Sequence, residues 1–227
     1  MPVEVLTTYR TEPASLFQQE VREIFRNTLV LGKPLEGTLE NFELYEEMSV
    51  GWYLKPENPG SAVVLDDNTG EVMGYVLICT QPDEYADWLR RQAWRVFRRN
   101  ALALVTGRLS KVSRQFYGRR FLDSLTVVRT RSKHDAGSAA HVHMNLRPEV
   151  RIGLVALSLY LYADTVCRDA GLDTWIGEVN AVEGTRMRAL ERLVGEIVDV
   201  QKNRTASFFN GTKVNRLTVR RSVPSVM

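Results

Sequence analysis

Cysteine is nearly missing from this 227-residue sequence. Cys79 and Cys167 lie far apart with no second cysteine near either, so neither a disulfide framework nor a zinc motif is encoded. Long hydrophobic runs are missing as well; nothing approaches the roughly 18 consecutive apolar residues that suggest a membrane span. The opening stretch MPVEVLTTYRTEP lacks the basic-then-apolar order of a secretory leader. Glycine, at 15 residues, and proline, at 8, stay near background, which excludes collagen-like and low-complexity chains. The expectation is a cytoplasmic globular protein, in which the Asn-x-Thr triplets at Asn203 and Asn210 carry no glycosylation argument. At about 100–200 residues per domain, the length suits one large domain or two small ones.

Acid is also missing from one stretch. Residues 88–133 hold 13 Lys and Arg but a single acid, Asp123, whereas residues 1–87 hold 16 acids against 5 basic residues. The net charge of +3 hides this segregation. Either the basic stretch folds against the acidic one, or it meets an anionic ligand, an anionic partner or nucleic acid. No zinc-finger or RNA-binding pattern accompanies it, so nucleic acid is the weakest of these.

What is present is an alternation of strand and helix patterns. Residues 3–9 read as a short strand. Glu12-Pro13 then opens a helix whose stripe is Leu16, Phe17, Glu20, Val21, Ile24 and Phe25. Thr38 is positioned as the N-cap of a second helix striped by Leu39, Phe42 and Tyr45 or Glu46. The runs SAVVLD and EVMGYVLICT, joined by Asp67-Asn68-Thr69-Gly70, predict a β-hairpin. An Arg-studded helix covers 83–105. Residues 106–133 mix their periods, with a strand expected at 121–128. The strand SAAHVHMNL should end at Pro148, which cannot donate to a ladder. A helix over about 151–170 carries Val155, Leu159, Tyr162 and Val166 on one face and stops at Gly171. The strand TWIGEVNA, a helix at 183–194 and two strands near 196–202 and 213–221 complete the chain. The order implies an α/β (α+β) domain: a mixed sheet of about six to seven strands with helices on both faces.

The connection at 139–170 is the most informative element. A strand feeding directly into a helix exposes the first N–H groups of that helix, which bind phosphate through backbone donors and the positive end of the macrodipole. Arg147 and Arg151 flank the turn.

The run His141 to Ala156, HVHMNLRPEVRIGLVA, resembles the fourth strand and pyrophosphate loop of the GCN5-related N-acetyltransferases. Gly177-Glu178-Val179-Asn180-Ala181, followed by Ala189-Leu190-Glu191-Arg192-Leu193, resembles that family's fifth strand and next helix. The opening strand, two helices and hairpin follow the same order. The likeness covers most of the chain, which it implies is a single domain over residues 1–227 with a basic, largely helical insertion at about 83–137. Such an insertion is similar to that of a bacterial branch with an HxHxxL strand. Two positions depart from the family. Leu154 stands where its loop has glycine, with Gly153 one residue early, and Leu190 replaces the tyrosine that protonates the leaving thiolate. Glu183 also occupies the place of a helix-start asparagine.

The resemblance implies an acyl-CoA-dependent N-acyltransferase with acetyl-CoA as cosubstrate, an amine of a small molecule or protein as acceptor, and direct attack of that amine on the thioester. Acetyl-CoA would lie against Met144, Leu146, Arg151, Ile152, Gly153, Leu154, Val155 and Ala156. His141, His143 and Asn145 share one strand face by the period of two. His143, Glu178 and Asn180 are therefore the candidate catalytic residues, with His143 or Glu178 as the base. Trp52 and Tyr53 fall where the family lines its acceptor groove. The departures Leu154 and Leu190 motivate a second reading, a degenerate member that binds acyl-CoA or a partner without turnover. His141 and His143 fall short of a metal site, because only His134 and Asp135 are at hand as further ligands. Neither metal nor membrane is expected, and an exposed closing hairpin is compatible with a homodimer. Cys79, Cys167, Tyr160, Tyr162 and the remaining tryptophans read as packing residues.

Overall fold

The computed structural model describes residues 9–134, 140–150, 153–185 and 187–224. The proposed strand at 3–9 lies almost wholly outside them, as do Arg151, Ile152 and Asp135.

β1 (Tyr9–Pro13) extends through the Glu12-Pro13 pair expected to begin a helix. Pro13 is accommodated there because, among the described residues, β1 is an edge strand with β2 as its one partner. A single 3-10 turn follows, and α1 (Gln18–Asn27) buries Val21, Ile24 and Phe25 while leaving Leu16 72% exposed. The second helix starts later than Thr38. α2 (Phe42–Glu46) begins after Asn41, whose left-handed φ of 56° breaks the stretch, and runs into a π-helical turn at Glu47–Gly51. β2 (Ala62–Asp66) and β3 (Val72–Cys79) form the expected hairpin.

The basic stretch is a helical pair. α3 (Pro82–Val105) and α4 (Lys111–His134) are each 24 residues long, and the strand expected at 121–128 lies inside α4. The period was hard to read because α4 buries a narrow, partly polar stripe, Ser113, Phe116 and Asp123, while Phe121, Leu122 and Leu125 stay exposed.

β4 (Ala140–Leu146) ends before Pro148 as expected. α5 (Gly153–Asp169) follows and stops before Gly171, whose φ is 74°. Its buried stripe, Val155, Leu159, Ala163 and Cys167, is rotated slightly from the expected one, leaving Tyr162 and Val166 half-buried. β5 (Thr174–Val182), α6 (Met187–Val194), β6 (Glu196–Lys202), α7 (Arg204–Asn210) and β7 (Val214–Ser222) complete the fold. The short α7 had no sequence-level counterpart.

Among the described residues, seven strands form one mixed sheet in the order β1-β2-β3-β4-β5-β7-β6. On one face, Val76, Ile78, Val142 and Trp175 pack against α5 through Val155, Leu159 and Ala163. On the other, Tyr75, Leu77 and Cys79 pack with residues of α1, α2, α3 and α4. At Gly74 the two central strands come close. A Cβ there would stand 2.8 Å from the Asn145 carbonyl oxygen and closer still to Leu146, so only glycine allows that register.

The buried charge is locked. Asp164, 2% exposed, accepts from Trp175 Nε1 at 2.8 Å and from Arg221 through three contacts at 3.0 Å, and Arg221 also donates to the Leu193 carbonyl. This ties α5 to β5, β7 and α6.

Candidate active site

The central parallel pair opens partway along. β4 and β5 pair only through Ala140–Trp175, His141–Ile176 and Val142–Gly177. Beyond that point β4 keeps its partner β3 and β5 keeps its partner β7, but the strands no longer pair with each other. The two facing edges, His143 to Leu146 and Glu178 to Val182, therefore line a wedge. Backbone groups on an unpaired edge need a partner from water or ligand. α5 begins a few residues past the end of β4, with the backbone of Gly153, Leu154, Val155 and Ala156 in its first turn. The first amides of a helix lack intrahelical partners and sit at the positive end of its macrodipole, and α5 is 17 residues long.

The residues expected to hold the cosubstrate divide by face. Met144 is half-buried on the α5 side and Leu146 is buried there, while the Val155 side chain, 3% exposed, belongs to the core. Val155 can thus contribute only its backbone. Arg147 is drawn toward α1: its terminal nitrogen lies 3.9 Å from Glu23, and its Nε is buried without a hydrogen-bond partner.

The opposite face carries the polar groups. His141, His143 and Asn145 alternate along β4 as expected, opposite Cys79, Leu77 and Tyr75 of β3. The Tyr53 hydroxyl meets His141 Nδ1 at 3.1 Å, and Tyr85 stacks on the His141 ring. Asn145 Nδ2 donates to Tyr75 Oη at 2.6 Å and lies 3.4 Å from His143 Nε2. Burial, helped by like charge from His141 and then Arg120 and opposed by Glu178, drops His143 from its ordinary value to about 4. His143 is therefore a neutral imidazole at pH 7 and a weak base.

Glu178 lies on β5 on this same face, because its neighbour two residues back, Ile176, pairs with His141. Its side chain is 41% exposed and contacts Arg216 Nε at 3.4 Å. Asn180 points along the same face, but its Oδ1 accepts from Asn203 Nδ2 at 2.8 Å, and Asn203 in turn caps α7 by accepting from Ala206 N. Asn180 thus anchors a helix cap. Trp52 is 7% exposed in a cluster with Tyr85 and Trp88, and Tyr53 is 1% exposed and reaches the site by its hydroxyl alone.

Arg120 was not singled out in the sequence. From α4 it donates through Nε to Tyr45 Oη at 2.7 Å and acts on His143. One arginine among thirteen basic residues carries no signal by itself; only the fold turns it inward.

The charge segregation has a partial answer. The ion pair joining the two stretches among the described residues is the local Arg90–Asp87 contact within α3. They meet instead through neutral and backbone groups. Ser110 donates twice to Glu40, the Glu40 N–H donates to Ser113, and Tyr117 donates to the Glu40 carbonyl. Arg95, Arg98 and Arg99 of α3 line a groove of about 610 Å³, and Arg114 and Arg119 of α4 line one of about 770 Å³ with Arg204 of α7. Among the described residues, no three His, Cys, Asp or Glu gather as a metal site, and no helix is long and apolar enough to cross a membrane.

The same architecture is seen in solved acetyltransferase structures. The chain is similar to the polyamine N-acetyltransferase of Drosophila melanogaster, with a TM-score of 0.59 at 12% identity over 95% of this chain and 100% of that one. It is also similar to SsHAT, with a TM-score of 0.58 at 17% identity over 96% and 100%. The Salmonella typhimurium protein yncA, whose structure holds its cofactor acetyl-CoA, superposes with a TM-score of 0.51 at 12% identity over 97% and 95%. No protein-family model and no curated protein sequence matches the chain. At these identities the likeness shows the fold, and it is the GCN5-related N-acetyltransferase fold expected from the strand and loop residues.

Proposed function

We propose that the protein is an acyl-CoA-dependent N-acyltransferase that moves an acetyl or short acyl group to an amine. One observation carries this: β4 and β5 part after Val142 and Gly177, and the first turn of a long helix follows β4. Acetyl-CoA would enter the wedge with its pyrophosphate on the amides of residues 153–156. A backbone N–H of β4 near Met144 would polarise the thioester carbonyl. The amine nitrogen attacks that carbonyl carbon, the tetrahedral adduct collapses, the C–S bond breaks, and CoA leaves as thiolate. The amine proton passes through water to Glu178, an accessible carboxylate on the polar face of the wedge, and solvent protonates the thiolate, since Leu190 cannot. Positioning and electrostatics supply most of the acceleration.

Small amines are the first acceptors to try, because a similar fold is named for polyamine acetylation in the fly protein. Calorimetric titration with acetyl-CoA, with CoA and ATP as controls, tests the reading. Micromolar binding, about −8 kcal/mol, with ATP clearly weaker, followed by CoA release in an amine screen, is the expected result. Binding with no turnover of any amine would leave the non-catalytic acyl-CoA binder. No binding at millimolar acetyl-CoA would remove the cosubstrate assignment.

A further inference from the structure

Beside the polar face of the wedge, the Arg120 guanidinium makes no ion pair among the described residues. Arg120 is half-buried, and its one hydrogen bond among the described residues runs from Nε to the phenol of Tyr45. Its two terminal nitrogens make none, and it takes part in none of the ion pairs among those residues. The nearby acids are committed elsewhere. Glu178 faces Arg216 at 3.4 Å. Asp123, 2% exposed, accepts from the Arg204 and Thr205 amides, the Thr205 hydroxyl and the Arg204 side chain. A half-buried cation without an ion pair is costly, and Tyr45 fixes this one by its inner nitrogen, leaving the outer edge of the fork open.

That edge belongs to the acceptor side. α5 and the helix start that would take the CoA pyrophosphate pack on the sheet face of Val142 and Trp175. Arg120 acts on His143 and is itself acted on by Glu178, both of the opposite face. Arg120 and Arg216 face Glu178 there, and Asp123, the other carboxylate that acts on Arg120, is already paired with Arg204, so the balance is positive and a diamine would be repelled. A planar guanidinium with two parallel N–H donors matches a carboxylate in bidentate fashion.

Resting on the acyltransfer reading, we propose that the acceptor is an amine that also carries a carboxylate, an amino acid or the end of a peptide, and that Arg120 binds that carboxylate. The helical pair α3–α4 then has a role: it delivers the specificity-determining cation across the sheet face while the strands supply the chemistry.

Pairs of amines that differ only by the carboxylate test this, with CoA release as the readout: phenylalanine and phenethylamine, leucine and isoamylamine, arginine and agmatine. The amino acid should be preferred in kcat/KM by roughly 10–100-fold, the range of a lost charge-assisted interaction. In Arg120→Met the preference should collapse toward one, mainly through a raised KM for the amino acid, with acetyl-CoA affinity and melting temperature retained. Arg120→Lys should restore part of it, since a lysine keeps the charge but not the fork. Should Arg120→Met fail to fold, Tyr45→Phe, which frees the fork without removing it, should still lower the preference. Micromolar acetyl-CoA binding with equal or better turnover of the decarboxylated amines would overturn the acceptor assignment alone. Absence of both acetyl-CoA binding and CoA release would overturn it together with the acyltransfer reading. O-Phosphoethanolamine outperforming every amino acid would replace the carboxylate by a phosphate and overturn it as well.

Discussion

Acidification should destabilise this protein through one histidine. His143 sits against Tyr75 and Asn145 with its folded value lowered to about 4, burial being the largest cause. In the unfolded chain a histidine titrates near 6.5. Between those two values the unfolded state binds more protons than the folded one, so stability rises with pH there. The contribution is complete above about pH 6.5 and is lost as pH falls toward about 4. About 2.5 units at 1.36 kcal/mol each bounds the loss at ~3 kcal/mol, and partial exposure of the ring makes the real figure smaller. Urea denaturation of the native protein and of His143→Gln at pH 7.5, 6.5, 5.5 and 4.5 measures it. The native curve should lose stability across the window, and the variant should lose clearly less. Arg120 adds to the depression of His143, so Arg120→Met should raise the His143 midpoint in an NMR titration. Parallel stability curves for native protein and His143→Gln would refute the placement of a buried neutral imidazole.

Three further outcomes follow from the packing. Arg221→Met should cost about 3–5 kcal/mol in chemical denaturation, because it leaves the Asp164 carboxylate buried with the Trp175 N–H as its remaining donor; pairing it with Asp164→Leu should recover part of the loss, and additive losses would contradict the coupling. Gly74→Ala should destabilise by about 1–3 kcal/mol, since the added methyl meets the Asn145 carbonyl and Leu146; an unchanged melting curve would show that β3 and β4 have room to part. Asn203→Ala should cost about 1 kcal/mol by removing the α7 cap, and with the Asn180 tie gone, hydrogen exchange in α7 should rise more than in α4.

Much of the chain announced itself in sequence because the signals were local. The DNTG turn between two β-branched runs, the proline after β4 and the glycine after α5 act within a few residues of themselves. They fixed β2, β3, β4 and α5 to within a residue or three. The sharing of one face by His141, His143 and Asn145 follows from strand period alone. Errors arose where a residue's role depends on what lies across the fold. Pro13 looked like a helix start because nothing in the sequence says that β1 is an edge strand. α4 looked like a possible strand because its buried stripe is set by Tyr45 of α2, by α7 and by the Glu40 segment, not by a clean apolar period.

The site divides the same way. Sequence determined which residues stand on β4 and β5, that a helix start follows β4, and that basic residues crowd 88–133. Tertiary structure alone decided that β4 and β5 separate after three pairs, and that Asn180 is engaged by a helix cap while Glu178 stays accessible. It also decided that Arg120, among the basic side chains described in 88–133, turns toward Tyr45 and the sheet. Strand pairing and burial depend on partners far away in the chain, and no local pattern encodes where those partners stop.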